Sequence, residues 1–294
     1  MDCSVILVTY QSAAYLPRCL ETLVLSTHAT SYEVIAVDNA SSDDSVAALE
    51  RAPVPVRVLR NPENLGFGCA ANRAARGAQG RYLLLLNPDT EVQDHAMDRA
   101  VAYLETNPDV GILGAKVLNS DGTLQRAARR SIPRPSVAFF QLSGLGRLWR
   151  NHAAAGAYNL ERLDPDQTAE VGAVSGAFLL IRREAWEHAG GFDERFFLYG
   201  EDLDLCLSVS RLGYRVVYYP EAVVLHHKGA SSRQARRRAN REFHRAMRLF
   251  HDKHFAAGRP APVNWLIRGA IAVRGTLNDW AIRSGLRRYV GTRG

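Results

Sequence analysis

The chain consists of short apolar runs separated by segments in which apolar residues recur every three or four positions. Short apolar runs that end in polar or helix-breaking residues predict buried strands, and the longer period predicts amphipathic helices. By this criterion strands are predicted at residues 4–8, 32–37, 56–59, 82–86, 110–118, 174–181, 215–219 and 222–225. Helical segments separate most of these runs. Strands and helices that alternate at this spacing predict βαβ units and a mainly parallel, doubly wound α/β sheet.

The run at 82–86 ends abruptly in Asn87-Pro88-Asp89. Proline has no amide hydrogen to donate to a sheet ladder, so the strand is expected to stop there. Asp89 then lies at the carboxyl edge of the sheet, where open α/β folds bind ligands. One aspartate after a strand more often caps a helix or a turn, so its interpretation depends on the residues that surround it.

Two further acidic sites follow this pattern: Asp38 comes directly after the strand 32–37, and Glu201 with Asp202 begins a helical segment. Asp38 and Asp89 both follow parallel strands, so both are expected along one edge of the sheet. Together they favour a nucleotide-diphosphate site. One carboxylate would contact a base or ribose, and another would hold a divalent cation that bridges the diphosphate. Mg²⁺ and Mn²⁺ suit such oxygen ligands.

Two common nucleotide-binding signatures are missing from the chain. There is no Walker A loop, and Gly66-Phe67-Gly68 lacks the third glycine of a dinucleotide-binding fingerprint. Both observations count against a kinase and a dehydrogenase. A sugar-1-phosphate nucleotidyltransferase would share the α/β layout, but it is expected to have a Gly-rich, basic loop soon after the first strand. Residues 9–16 contain no such loop.

The composition is that of an ordinary globular protein, with 294 residues of which 47% are hydrophobic and 23% charged. The four cysteines are far apart and have no metal-ligand spacing, and the N-terminus has no basic leader. Free thiols in a reducing cytoplasm are therefore expected. No apolar stretch approaches the roughly 18 residues that a membrane span needs.

Positive charge is concentrated at the C-terminal end. Residues 1–210 carry 19 Lys and Arg against 26 Asp and Glu, whereas residues 211–294 carry 18 against 4. This asymmetry predicts an anionic partner for the C-terminal region. A non-catalytic nucleic-acid-binding protein is one alternative. However, the region has no known nucleic-acid motif and the acidic loops would repel phosphate without a metal, so no nucleic acid is expected as a partner.

The basic C-terminal region also has a helical pattern. Within 233–255 the apolar residues share one stripe: Ala239, Phe243, Ala246, Met247 and Phe250. Such a helix either packs on the preceding domain with a solvated basic face or lies on an anionic membrane surface. A second basic segment at 265–289 contains Trp265 and Trp280. We favour peripheral attachment to the inner face of the cytoplasmic membrane.

Six motifs occur in a fixed order: V-I-L-V-T-Y, V-D-N-A-S-S-D, N-x-G-F-G-x-A-x-N, L-L-N-P-D-T, G-A-F-L-L-I-R-R and G-G-F-D-E-x-F-F-L-Y-G-E-D-L-D-L-C-L. This order resembles family 2 inverting glycosyltransferases, and more narrowly the bacterial rhamnosyltransferase-like branch that builds cell-surface polysaccharides. The resemblance covers about residues 3–255. It implies a GT-A catalytic domain at 1–230, with a nucleotide-sugar half (about 1–115) and an acceptor half (about 116–230). A basic helical extension would follow at 231–294.

The resemblance assigns residues of the first half to the nucleotide sugar. Thr9, Tyr10 and Asp38 occupy the positions where the family contacts the base and ribose. A second group lines the loop beside the nucleotide, where small residues let the backbone approach the ligand. Its members are Asn64, Gly66 and Asn72.

The resemblance also assigns the metal and the catalytic base. Asp89 corresponds to the last aspartate of the family's D-x-D metal motif. Asn87 replaces the first and is assigned to the nucleotide sugar, so the motif keeps one charged metal ligand. His226 leads the branch's H-x-x-G-x-S element, where a histidine can be a further metal ligand or contact the diphosphate. Asp202 matches the general base that takes the proton of the acceptor hydroxyl. Glu201 is the alternative base or an acceptor-orienting residue.

Several neighbouring residues receive a weaker assignment. Two adjacent histidines on a strand face opposite sides, so His227 is expected to be structural. Lys228 and Ser231 either contact phosphate or belong to a solvated loop. Asp204 is expected to act as a cap or as one partner of a structural pair.

The resemblance implies an inverting, metal-dependent glycosyltransferase that uses Mg²⁺ or Mn²⁺. Its donor would be a nucleotide sugar, for which dTDP-rhamnose is the first candidate and UDP-galactofuranose an alternative. Its acceptor would be a hydroxyl of a glycan or of a polyprenyl-pyrophosphate-linked glycan precursor.

Overall fold

The computed structural model describes residues 1–133, 158–227 and 236–284. The strands of this part are β1 (Cys3–Thr9), β2 (Tyr32–Asp38), β3 (Val56–Arg60), β4 (Tyr82–Leu86), β5 (Thr90–Val92), β6 (Val110–Leu118), β7 (Arg129–Arg130), β8 (Ala169–Glu170), β9 (Ala173–Val174), β10 (Phe178–Arg182) and β11 (Arg215–His226). Nine of them form one mixed sheet in the order β3-β2-β1-β4-β10-β6-β11-β5, with β8 paired to β11. The other two, β7 and β9, pair with each other.

Helices pack against this sheet and at the C-terminal end. They are α1 (Leu16–Ser26), α2 (Ser45–Glu50), α3 (Phe67–Ala75), α4 (Ala96–Thr106), α5 (Arg183–Ala189), α6 (Glu201–Arg211), α7 (Arg236–His254) and α8 (Ala261–Arg283). Two of these helices have residues at their ends that are typical of helix termini. Pro17 lies in the first turn of α1, where its missing amide hydrogen costs nothing, and Gly190 ends α5 in the left-handed conformation.

The N-terminal half matches the sequence prediction. Strands β3, β2, β1 and β4 are parallel neighbours. Every residue of β1 and of β4 is buried, which explains why both segments are continuously apolar rather than alternating. The four cysteines are free thiols, as predicted, and Cys3 lies within the buried β1. The carboxyl ends of these strands lie at one edge of the sheet. The last residues of β1, β2 and β4 are Thr9, Asp38 and Leu86.

The prediction of one continuous strand at 174–181 is wrong. This run is divided into β9 and β10, separated by Ser175-Gly176-Ala177, because β9 leaves the main sheet to pair with β7. The strand β10 then runs antiparallel between β4 and β6, with Phe178 opposite Leu86. The segment 175–177 therefore enters the sheet beside the carboxyl end of β4.

The two predicted strands at 215–219 and 222–225 form one long strand, β11. The register with β6 shifts between Tyr219 and Val223, around Pro220, which has no amide hydrogen for the ladder. The last residues of β11 pair antiparallel with β5, a three-residue edge strand that the sequence analysis did not predict. This pairing places His226 opposite Thr90.

The helix α7 packs on the second half of the sheet domain through Ala246 and Phe250, which form a small core with Phe196. Asp204 of α6 is buried, and it accepts hydrogen bonds from Lys253 Nζ at 2.8 Å and His254 Nε2 at 2.6 Å. Asp204 is thus a structural partner, as predicted. Across residues 1–133, 158–227 and 236–284, no helix is sufficiently long and apolar to span a bilayer.

Candidate active site

The first corner of the candidate site is formed by the ends of β1 and β2. Thr9 Oγ1 donates a hydrogen bond to Asp38 Oδ1 at 3.1 Å, and Ser41 N donates to Asp38 Oδ2 at 3.0 Å. Asp38 is buried, whereas Tyr10 is exposed directly after β1. This corner therefore presents a carboxylate in a fixed orientation close to an accessible aromatic residue.

An asparagine network holds the next loop in place. Asn39 Nδ2 donates to Gly66 O at 3.1 Å, and Asn61 Nδ2 donates to Asn39 Oδ1 at 2.7 Å. Asn64 Oδ1 accepts a hydrogen bond from Gly66 N at 3.0 Å, so this side chain shapes its own loop. Asn39 and Asn61 were not among the site residues predicted from the sequence.

Gly66 and Asn72 connect this loop to residues that precede α6. Gly66 has φ +87°, and an added Cβ would lie 2.5 Å from Phe197 O, so the close approach requires glycine. Asn72 accepts a hydrogen bond from Phe192 N and donates one to Phe192 O, both at 2.9 Å. In the structure both residues position one loop against another. A direct contact of either with a nucleotide stays a prediction.

The second corner contains Asn87, Asp89 and His226. His226 Nε2 lies 3.1 Å from Asp89 Oδ1 and 3.3 Å from Asn87 Nδ2. The side chains of His226 and Asp89 are only 12% and 10% exposed. The antiparallel pairing of β11 with β5 therefore brings together the two residues that the sequence analysis assigned to a metal.

Gln125, which the sequence analysis did not single out, fixes the ring of His226. Its side chain is buried, and Nε2 donates to the His226 carbonyl at 2.8 Å. The other amide atom, Oε1, then faces His226 Nδ1 at 3.0 Å. Because an amide oxygen only accepts hydrogen bonds, Nδ1 must carry the ring proton. In the neutral imidazole, Nε2 therefore directs its lone pair towards Asp89.

His227 has a different environment. Its ring contacts Glu91 Oε1 at 2.8 Å and Ser120 Oγ at 3.0 Å and stacks with Tyr15. The hydrogen bond from His227 lowers the pKa of Glu91. These contacts agree with the structural role expected for His227. Lys228 and Ser231, the candidates for a phosphate contact, lie outside the described residues.

The third corner is the start of α6, where Asp202 forms an ion pair with Arg130. Arg130 Nη2 lies 2.5 Å from Asp202 Oδ2, and Gly176 N donates to the same oxygen at 3.3 Å. Asp202 Oδ1 accepts from Leu203 N at 2.7 Å, which leaves that oxygen a further lone pair. The side chain of Asp202 is 15% exposed, so part of it remains open to solvent.

Glu201 is in the opposite situation. Its Oε2 atom is buried and has no hydrogen-bond partner among the residues that the structure describes. Burial, reinforced by the neighbouring Asp202 carboxylate, raises the pKa of Glu201 to about 8. Glu201 is therefore largely protonated at neutral pH, whereas a general base must be ionised. This difference favours Asp202 as the candidate base.

The raised pKa of Glu201 predicts a pH-dependent stability. The carboxyl group ionises near pH 4.5 in the unfolded chain and at about pH 8 in the folded chain. Stability is therefore lost as the pH rises through this window, and Glu201→Gln should remove that loss. One pKa unit is worth about 1.4 kcal/mol, and partial solvation reduces the effect. We therefore expect the free energy of unfolding of the variant, relative to that of the wild type, to rise by roughly 2 kcal/mol between pH 5 and pH 8.

Urea denaturation at several pH values measures this effect. The matched control is Glu161→Gln, at an exposed glutamate, which should show little pH-dependent difference from the wild type. A difference between Glu201→Gln and the wild type that stays constant from pH 5 to pH 8 would contradict the assignment.

The second corner and Asp202 are linked through the segment 175–177. Asn87 N donates to Ala177 O at 3.0 Å, and Gly176 N contacts Asp202. Arg130 Nη2 also donates to the carbonyl of Val174, the residue directly before this segment, at 2.6 Å. The antiparallel insertion of β10 beside β4 produces this arrangement, which local periodicity does not predict.

Gln125 and Arg130, which were not predicted from the sequence, reach the site through pairing between strands that are far apart in the chain. Gln125 is close to His226 because β6 and β11 are parallel neighbours, so that the residues after β6 lie beside the end of β11. Arg130 is close to Asp202 because β7 pairs with β9. A buried polar residue in an otherwise polar stretch gives no local signal, so neither could be recognised before the strand pairing was known.

A parallel βαβ half with acidic loops at its carboxyl edge, continued into a mixed half that supplies an acidic helix, is the arrangement of the GT-A fold found in nucleotide-sugar-dependent glycosyltransferases. The chain belongs to the family described as "Glycosyltransferase like family 2", whose model matches residues 2–244. The family and fold predicted from the sequence are thereby confirmed.

Three known proteins illustrate the relationship. The N-acetylglucosaminyl-diphospho-decaprenol L-rhamnosyltransferase of Mycobacterium tuberculosis is 35% identical over 298 residues, covering 97% of this chain and 94% of the relative. The S. aureus TarS 1–349 structure in complex with UDP-GlcNAc has a TM-score of 0.61 at 18% identity, over 93% of this chain and 72% of that one. The mannosyltransferase PcManGT from Pyrobaculum calidifontis, in complex with GDP-Man and Mn²⁺, has a TM-score of 0.60 at 18% identity, over 98% and 76%. At this identity the two structures establish the fold alone.

Proposed function

We propose that this glycosyltransferase moves L-rhamnose from dTDP-rhamnose to a hydroxyl of an N-acetylglucosaminyl-diphospho-polyprenol, with inversion at the anomeric carbon. The donor sugar and acceptor class are supported by the similarity to the mycobacterial rhamnosyltransferase, which extends over nearly the full length of both chains. The observation that carries the chemistry is the link from the Asp89–His226 corner through segment 175–177 to the accessible carboxylate of Asp202.

A donor and acceptor assay tests this function. Purified enzyme with Mg²⁺ or Mn²⁺ is given dTDP-rhamnose and a synthetic N-acetylglucosaminyl-diphospho-lipid, and the product is identified by mass spectrometry and by NMR of the anomeric proton. A rhamnosylated lipid of inverted configuration is expected. Turnover of UDP-galactofuranose but not of dTDP-rhamnose would replace the proposed donor, and a retained configuration would exclude single displacement.

The residues of the second corner fit a divalent cation. Asp89 Oδ1 and His226 Nε2 are 3.1 Å apart, and both are lone-pair donors when Gln125 holds the ring proton on Nδ1. Two such atoms repel each other unless a cation lies between them or the imidazole is protonated. A bound Mg²⁺ or Mn²⁺ would neutralise charge on the diphosphate as it leaves. Asn87, a neutral amide, adds no charge, so Asp89 supplies the anionic ligand of this corner.

The protein groups then divide the work of the reaction. We propose that Asp202 Oδ1 takes the proton of the acceptor hydroxyl, because Oδ2 already accepts hydrogen bonds from Arg130 and Gly176 N. As the proton leaves, the hydroxyl oxygen attacks the anomeric carbon from the side opposite the diphosphate, so no covalent enzyme intermediate is needed. We assign the nucleoside to Thr9, Tyr10 and Asp38. Glu201, in its protonated form, is available to donate a hydrogen bond to the acceptor.

Gln125 is expected to determine metal affinity through His226. Replacing Gln125 by methionine keeps the side-chain volume but removes the acceptor for Nδ1–H, so the ring can change its tautomer. Outer-shell partners of this kind are typically worth about 10–100-fold in metal affinity. We therefore expect the dissociation constant for Mn²⁺, measured by electron paramagnetic resonance, to rise by that factor. The affinity for dTDP in the presence of a chelator should stay unchanged.

Gln93→Met is the matched control, because the Gln93 amide makes a long contact of 3.5 Å with Glu91 O and does not reach His226. It should bind Mn²⁺ as the wild type does. A folded Gln125→Met protein with wild-type Mn²⁺ affinity would show that Gln125 does not act on the metal ligands.

We further propose that α8 attaches the enzyme to an anionic membrane surface. Five of its large exposed apolar residues fall on one face of the helix: Trp265, Leu266, Val273, Leu277 and Trp280. Trp265 and Leu266 are 70% and 74% exposed, which is unusual for large apolar side chains. The positive charge of residues 211–294 would add attraction to anionic lipid.

Co-sedimentation with phosphatidylglycerol-containing vesicles measures this attachment. The wild type is expected to pellet with these vesicles more than with neutral ones, and Trp265→Ser combined with Leu266→Ser should leave most protein in the supernatant. The control Leu25→Ser, at an exposed leucine of α1, should bind as the wild type does. Wild-type protein that stays in the supernatant with anionic vesicles would contradict the proposal.

A further inference from the structure

Three side chains with metal-binding atoms meet at the surface, away from the candidate active site. His28 follows the end of α1, while Asp94 and His95 connect β5 to α4. Asp94 Oδ1 lies 3.7 Å from His28 Nε2 and 3.6 Å from His95 Nε2. The two imidazole rings have centroids 4.8 Å apart. We propose that His28, Asp94 and His95 form a second metal site, suited to Zn²⁺ or a cation of similar ligand preference.

Hydrogen bonds to Asp98 hold the residues of this cluster in place. The Asp98 side chain is only 10% exposed, and its Oδ2 accepts from His28 N at 2.9 Å and faces His95 Nδ1 at 3.3 Å. Its Oδ1 accepts from Ala29 N at 3.2 Å and Thr30 N at 2.9 Å. One nearly buried carboxylate thus holds the backbone of the first histidine and the ring of the second.

The contact with Asp98 also decides which nitrogen of His95 is available. An ionised carboxylate only accepts hydrogen bonds, so His95 Nδ1 carries a proton, and in the neutral imidazole Nε2 keeps its lone pair. That nitrogen is the one directed at Asp94. A carboxylate that orients a histidine in this way is the usual outer partner of a zinc-bound imidazole.

The donor set and spacing fit zinc better than magnesium. Two imidazoles and one carboxylate are common zinc ligands, whereas Mg²⁺ prefers oxygen ligands alone. Tetrahedral coordination at about 2.0–2.2 Å places ligand atoms roughly 3.4 Å apart. The three ligand atoms already lie within 4.8 Å of one another, and exposed His28 and Asp94 can close the remaining distance by small rotations. The fourth position would be left to water.

Such a site would cross-link three elements at the edge of the sheet. It would tie the end of α1 to the start of α4 and to the far end of β5, whose first residue follows Asp89. Its expected effect is on stability rather than on the chemical step, because a cation that binds only the folded chain stabilises it by mass action.

The experiment uses full-length protein stripped of metal and titrated with ZnCl₂ alone, by calorimetry or by competition with a chromophoric chelator. We expect one zinc equivalent that is weakened at least tenfold in His28→Gln and in His95→Asn. Asparagine is chosen for position 95 because His95 has φ 57°, a left-handed conformation that asparagine tolerates. At a hundredfold excess over the dissociation constant, zinc should raise the melting temperature of the wild type by about 5 °C, but not that of His28→Gln.

Two controls separate this site from other histidines. His188→Gln, at an exposed histidine of α5, and His226→Gln, in the candidate active site, should both keep the zinc equivalent that His28→Gln loses. His28→Gln should keep wild-type transferase activity with saturating Mg²⁺. The proposal is overturned if the wild type binds zinc no more tightly than His28→Gln, or if His226→Gln alone abolishes the binding.

Discussion

Asp202→Asn is expected to lower kcat by about 10²–10⁴-fold, the usual contribution of a positioned general base, while the affinity for the nucleotide sugar stays close to that of the wild type. Asparagine has nearly the same shape as aspartate but cannot take a proton from the acceptor hydroxyl. The loss should therefore appear in kcat, because the donor binds at the other corners of the site. Steady-state kinetics with both substrates varied, and donor binding by calorimetry, measure the two parts separately.

The ion pair with Arg130 requires its own control. Arg130 is buried. Removing the negative charge of Asp202 leaves this buried cation without its partner, and an unpaired buried charge destabilises the folded protein. We expect Asp202→Asn to lower the melting temperature and the double variant Arg130→Gln, Asp202→Asn to recover part of it without recovering turnover. Turnover that returns with stability would show that Asp202 serves only the fold.

The comparison with Glu201 distinguishes the two candidate bases. Glu201→Gln should retain most of the wild-type kcat, because the glutamate is largely protonated at neutral pH and glutamine can still donate a hydrogen bond. If Glu201→Gln removed turnover while Asp202→Asn kept it, the two roles would have to be exchanged.

Asp89→Asn is expected to cause the second large loss. Asp89 is the anionic member of the corner that contains Asn87 and His226, so its replacement leaves no negative charge to hold a cation there. We expect Mn²⁺ binding in the presence of dTDP to weaken by roughly 100-fold and kcat/KM to fall by about 10³-fold, since both the cation and the diphosphate that it would contact are affected. Electron paramagnetic resonance and initial rates over a range of Mn²⁺ concentrations measure these effects.

The reverse substitution provides an internal test of this explanation. Asn87→Asp adds a second carboxylate and should tighten Mn²⁺ binding in the absence of nucleotide, because divalent cations bind more strongly to two anionic ligands than to one. Asp166→Asn, at an exposed aspartate in the segment before β8, is the matched control and should leave both measurements unchanged. Unaltered Mn²⁺ binding in Asp89→Asn would place the cation elsewhere.

The first half of the fold follows from the sequence because its signals are local. Strands that are buried on both faces must be continuously apolar, as 82–86 is, and each is followed by a polar break. In a βαβ arrangement such strands are parallel neighbours, so the residues at their carboxyl ends reach one edge without further information. For this reason Asp38 and Asp89 could be placed correctly along the sheet before the structure was known.

The second half depends on pairings between distant segments. The run 174–181 is apolar apart from Ser175 and Gly176, yet it contains parts of two strands that belong to different sheets, and β10 is antiparallel to its neighbours. Nothing in the local pattern distinguishes these outcomes, because a buried strand has the same composition in either direction. The break at Ser175-Gly176 is interpretable only when β7 is seen to pair with β9.

The sequence by itself thus determined the class of the fold, the family and the residue types available for chemistry, since these depend on periodicity and on motifs in order. Only the tertiary structure decided which of those residues meet. Pairing of β11 with β5 brings His226 to Asp89, and the neighbouring β6 brings Gln125 to His226. Pairing of β7 with β9 brings Arg130 to Asp202. Each meeting depends on the register of strands far apart in the chain, which is fixed by the packing of the whole sheet rather than by any single segment.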